Sequence, residues 1–149
     1  MKIRTHVIIA LLLSTILSQR IFAAPFSYYT FDESCADGVG IHSLIPYNTP
    51  SYATGKIDNG LDLERTLNQY AAHMNFVNVE QVRTIDVWVK AESGGNSGII
   101  VEFTDSTANT LTLAWDNGNL IKYGLILSDS SQFELLSSGV SPDVWYHIV

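Results

Sequence analysis

An all-β fold, an antiparallel sandwich or barrel, is what this sequence predicts. Three observations carry the prediction. Beyond residue 24 apolar and polar side chains alternate with a period of two, the repeat of a pleated strand. The alternating runs are short and are separated by clusters of Gly, Asn, Asp and Ser. Asn117-Gly118 stands between two such runs. Asn-Gly is a strong hairpin signal, because both residues tolerate the positive φ of a type I′ turn.

Phe26 to Phe31 is the first expected strand, with Phe26, Tyr28 and Thr30 on one face and Tyr29 and Phe31 on the other. Asp32 to Gly40 reads as turns. Residues 41 to 55 hold Pro46, Asn48, Pro50 and Gly55 and read mostly as loop. Leu61 and Leu63 alternate with Asp62 and Glu64. Residues 66 to 76 offer no clean apolar helical face, so a strand is expected, with Tyr70, Ala72, Met74 and Phe76 alternating with Ala71, His73 and Asn75. Thr84 to Ala91 is the clearest strand: Ile85, Val87 and Val89 share one face, Asp86, Trp88 and Lys90 the other. Ser93 to Gly98 is a glycine-rich turn. Ile99 to Thr104 follows, with Ile99, Val101 and Phe103 expected to face inward. Leu111, Leu113 and Trp115 alternate up to the Asn-Gly turn, Leu120 to Leu127 returns, and Phe133 to Leu136 is a short further strand. After the Pro142-Asp143 turn, Val144, Tyr146 and Ile148 point one way and Trp145, His147 and Val149 the other. No turn, cap or polar tail follows this last run, which predicts a domain whose closing strands are missing from the chain.

The first 24 residues have the order of a secretory signal. Lys2 and Arg4 precede the apolar run Val7 to Leu17, and Ile21-Phe22-Ala23-Ala24 supplies the small residues of a cleavage site. The run is shorter than the roughly 18 residues a membrane span needs. Residues 25–149 are therefore expected as one exported domain, extracellular or periplasmic. Lys2, Arg4 and Arg20 would leave with the leader, so five of eight basic residues remain against all 15 acidic ones, a mature charge of −10. That charge repels phosphate backbones and anionic lipid, which disfavours nucleic acid and membrane surfaces as partners. Neutral sugars, cations and basic proteins remain. Cys35 is the lone cysteine. In an exported chain it either pairs with a cysteine elsewhere or is a small buried hydrophobe.

Four blocks in order resemble concanavalin A-like, laminin-G-like domains. They are Tyr28-Tyr29-Thr30-Phe31-Asp32-Glu33, Gly55-Lys56-Ile57-Asp58-Asn59-Gly60-Leu61-Asp62-Leu63-Glu64, Thr84-Ile85-Asp86-Val87-Trp88-Val89-Lys90 and Trp145-Tyr146-His147-Ile148-Val149. Gly60 stands where the family commonly has Ala, and Glu64-Arg65 where it often has Asp-Gly. The resemblance implies a two-sheet antiparallel jelly-roll sandwich with a non-catalytic binding role, for carbohydrate or an extracellular protein. The family continues past its W-Y-H-V strand into a turn and a closing strand, in line with the missing strands expected above.

Some jelly rolls of this kind are glycoside hydrolases, which place two carboxylates roughly 5 to 10 Å apart across the sugar bond. Asp62 and Glu64 stand two apart on one strand face, where a solvated acidic face is the simpler expectation. A glycoside hydrolase with carboxylates partly beyond residue 149 is the alternative function. No glucanase-type E-x-D-x-x-E, H-E-x-x-H, G-x-S-x-G or phosphate-loop motif occurs. Asp32, Asp58 and Asp105, in three different loops, are the candidate oxygen ligands for Ca²⁺. Turn capping is their commoner use. Trp115, Tyr123 and Trp88 are the candidate sugar-stacking residues. For Trp88 and Trp145 a place in the core is the first expectation. For Trp115, beside the Asn-Gly turn, core and ligand face are balanced.

Overall fold

The computed structural model describes residues 25–74, 79–92, 97–117 and 119–149. The expected leader, the glycine-rich residues 93–96, Asn75-Phe76 and Gly118 lie outside the described residues. Among the described residues there are ten strands, two single 3-10 turns (Arg65–Leu67 and Val79–Gln81) and no α-helix. Every strand pairing is antiparallel. The all-β prediction stands. No described helix is long and apolar enough to cross a membrane.

Strand β1 (Ile45–Tyr47) pairs with β4 (Tyr70–Ala72), and β2 (Ser51–Thr54) with β3 (Asn59–Asp62). Strand β5 (Val87–Val89) pairs with β10 (Tyr146–Ile148). Strands β6 (Gly98–Thr104), β7 (Thr110–Asp116), β8 (Leu120–Ile126) and β9 (Gln132–Leu136) form a four-stranded meander in chain order. Strand β7 is its spine. Leu111, Leu113 and Trp115 are buried, while Thr110, Thr112 and Ala114 between them are half-buried. Leu113, Trp115 and Ile121 form the core. Val87 from β5 and Tyr146 and Ile148 from β10 pack onto it, with Ile85, Ala91, Ile100, Val101 and Val140 around them. Two pleated layers thus meet over one apolar seam, each large side chain in it contributing about 1.5–3 kcal/mol. The far side of the meander is bare: β9 ends the sheet, all five of its residues are exposed, and Phe133 and Leu135 are 61% and 69% exposed.

Several local expectations are corrected. Phe26 to Phe31 forms no ladder strand. The Asp37 carboxylate takes the Tyr28 N–H that a neighbouring strand would have used, and Phe31 and Glu33 sit at positive φ. Residues 41 to 55 are mostly loop, as expected, but they also hold the two short strands β1 and β2; Pro46 is tolerated because β1 is half of a two-stranded ribbon. The strand expected over 66 to 76 shortens to β4, behind the Arg65–Leu67 turn. In β6 the register shifts between Ile99 and Val101. That irregularity turns Ile99 outward, 61% exposed, and brings Ile100 and Val101 to the core. The β7–β8 connection is a three-residue loop closed by the Asn119 N–H on the Asp116 carbonyl, with Asn119 left-handed at φ 54°, in place of a two-residue turn.

Candidate functional site

The outer face of the β5–β10 ribbon carries the most distinctive cluster of side chains. In this ladder Val87 faces Ile148 and Val89 faces Tyr146, and these point to the core. The alternate register position is Trp88 opposite His147, so both project outward. Their rings stack at 4.7 Å between centroids and 13° between planes. A cross-strand aromatic pair of this kind holds two rings rigidly without help from the core. Trp88 is 39% exposed. His147 Nε2 donates to Asp86 Oδ1 at 2.7 Å, which fixes the imidazole from below. Lys56, from the turn between β2 and β3, places Nζ 5.3 Å over the Trp88 ring. One step along the same face, Lys90 Nζ stands 5.5 Å over the half-buried Trp145 ring. The result is an aromatic strip edged by two ammonium groups, a carboxylate and an imidazole. Rings of this type accept the C–H face of a pyranose, and the polar edge can bond its hydroxyls.

The sequence pointed to Trp88 as a core residue first and to Trp115 as the more open one. The structure reverses this. Trp115 is 3% exposed and lies in the core, so its ring faces protein, not solvent. Tyr123 lies opposite Leu113 and Leu135 on the inner face of β8, at the exposed margin of the core. The three candidate stacking residues are therefore not brought together, and only Trp88 is part of the strip.

The chain matches no protein-family model, no curated protein and no solved structure.

The three candidate cation ligands separate as well. Asp105 is a turn brace. Its carboxylate accepts from Thr107 Oγ1 and N, from Asn109 N and Nδ2, and from Val79 N. The Thr107 hydroxyl leads in holding that carboxyl well below the usual range, the Asn109 donors adding to it against a smaller opposing effect of burial. Asp32 accepts from Asn59 Nδ2, and Asp58 sits left-handed in the β2–β3 turn, its carbonyl accepting the Gly55 N–H. The carboxylates that do converge are Asp62, Glu64 and Glu92, whose nearest oxygens lie within 4.8 Å of one another. Sequence spacing showed the first two. It gave no sign of Glu92, which arrives from beyond β5. Hard oxygens at this spacing suit Ca²⁺, and they also approach the separation of a retaining glycosidase pair, about 5 Å.

A second polar cluster surrounds His42. Ser27 Oγ lies 3.3 Å and Asp37 Oδ2 3.7 Å from the same ring nitrogen, Nδ1. A hydrolytic relay needs its nucleophile and carboxylate on opposite nitrogens, so this is not that geometry. Asp37 instead organises the segment before β1. Burial would raise its carboxyl, but the N–H groups of Tyr28, Val39 and His42 outweigh this and hold it well below the usual range.

Proposed function

We propose that this protein is a secreted, non-catalytic module of the laminin-G-like kind that binds carbohydrate on the outer face of β5 and β10. The observation that carries the reading is Trp88, exposed and stacked on His147, with charged groups on its edge. An aromatic this large is normally buried unless it serves a surface. Two of the four blocks that resemble the family, around Trp88 and around Trp145, form the two halves of this one ribbon, which supports the same reading. Export rests on the leader-like first 24 residues.

A glycan array probed with the full chain, with and without chelator, tests this. Binding to a defined set of glycans is expected, unchanged by chelator, because no member of the Asp62 cluster belongs to the strip. Trp88→Ala should weaken it by more than about tenfold, the effect of removing a central aromatic anchor. Since Trp88 lies outside the core, the variant should melt like the parent. An array without signal for the well-folded chain overturns the proposal.

The converging carboxylates favour a second reading, hydrolysis of a glycan at Asp62, Glu64 and Glu92. Release of reducing ends from an array-positive glycan, lost in Glu64→Gln and Glu92→Gln, would establish it.

A further inference from the structure

We infer that Lys56 sets the specificity of the Trp88 platform and selects sugars that carry a carboxylate. The inference rests on the carbohydrate reading above and deepens it. The Trp88 ring already touches two groups of its own chain, the His147 imidazole at 4.7 Å and the Lys56 ammonium at 5.3 Å. A pyranose that stacks there must take the place of one of them. His147 is fixed twice, by the ladder with β5 and by its 2.7 Å bond to Asp86. Lys56 is exposed, belongs to a turn, and reaches the ring on a flexible four-carbon stem. Lys56 is the group that moves.

What it moves towards decides the ligand. A neutral sugar gives the displaced ammonium no better partner than water. A uronate offers a carboxylate beside the ring, so the same lysine that blocks the empty platform closes over the occupied one. The arrangement is repeated at Lys90 and Trp145. Trp145 lies one residue outside the ladder, two residues before the His147 that faces Trp88, so alternation sets both indoles on one face of the ribbon. Lys56 and Lys90 edge the strip against the single carboxylate of Asp86, in a chain whose total charge is −7.

The test compares hexamers of galacturonate, mannuronate and glucuronate, each beside its own methyl ester, by calorimetry at one ionic strength. The ester keeps the ring and removes the charge. For the full chain at least one acid form should bind about fivefold tighter than its ester, the scale of one exposed ion pair. Lys56→Ala should lower that ratio, Lys56→Ala together with Lys90→Ala should bring it to about one, and Lys56→Arg should keep it. Equal binding of acid and ester, a ratio undiminished by Lys56→Ala, or binding of neutral glycans alone overturns this inference. If Trp88→Ala still abolishes such neutral binding, the platform itself stands. No binding of any glycan overturns both.

Discussion

Asp105 shows how much one side chain can organise. Its two oxygens tie the turn between β6 and β7 to Val79, while Asn109, 8% exposed, passes the connection on by accepting the Ser128 N–H. A carboxyl held below its ordinary value of 3.8 stabilises the fold in its charged form. That contribution is complete above the ordinary value and disappears as pH falls through the lowered one. Asp105→Ala should therefore lower the melting temperature near pH 7 by on the order of 5 °C, with the gap closing towards pH 2. Thermal melts of parent and variant at both pH values check this; an equal gap at each would remove the carboxylate charge as the source. The tryptophans carry the matching lesson in legibility. Alternation alone put Trp88 with Asp86 and Lys90 and put Trp115 with Leu111 and Leu113. Those assignments are right, and they already separate the exposed indole from the buried one. The expectation went astray where likeness to a family strand, and closeness to a turn, outweighed the company each ring keeps.

At the level of elements, the β2–β3 hairpin matters most to the proposed site, because its turn carries Lys56. The turn closes through the Gly55 N–H on the Asp58 carbonyl, at 2.8 Å. A Cβ on Gly55 would lie 2.8 Å from the Asn59 carbonyl oxygen and 2.9 Å from its carbon, both backbone atoms. The turn has to open to admit it. Gly55→Ala should destabilise the protein by about 1–3 kcal/mol in urea unfolding, and should also move Lys56 off the Trp88 ring, seen as a change in exposed-tryptophan emission. Stability and emission both unchanged would show that the turn does not hold the lysine. This hairpin was half legible: the Gly55 to Glu64 block was visible, but β2 was hidden among the proline and asparagine of residues 41 to 55. A ribbon of two strands tolerates such residues because each strand has one free edge, and no local pattern signals that. The irregularity at Ile99 was equally invisible, since one extra residue exchanges the faces of a strand without altering its composition.

Among the described residues the molecule is one four-stranded meander and three two-stranded ribbons, with the β5–β10 ribbon packed over a small core. Among the described residues only Leu113, Trp115 and Ile121 form the buried cluster, and the surrounding aliphatics are half-buried. Such a core has little to spare. Leu113→Ala should cost about 2–5 kcal/mol in chemical denaturation; a loss under 1 kcal/mol would mean the seam is not where the stability resides. The all-β, antiparallel character followed from period-two alternation. The functional strip did not, because it depends on distant partners. His147 and Asp86 are 61 residues apart, and Lys56 and Glu92 enter their clusters from other elements. Only chain topology brings them together.

The bare outermost strand of the meander has a consequence for how the molecules behave in company. Gln132 to Leu136 presents open backbone valences beside uncovered Phe133 and Leu135, a template on which a further strand can be laid. In dilute buffer the shared negative charge keeps copies apart. Once salt shrinks that repulsion to about 8 Å, concentrated stocks will grow by edge-to-edge accretion, and the first insoluble material will be rich in intermolecular sheet.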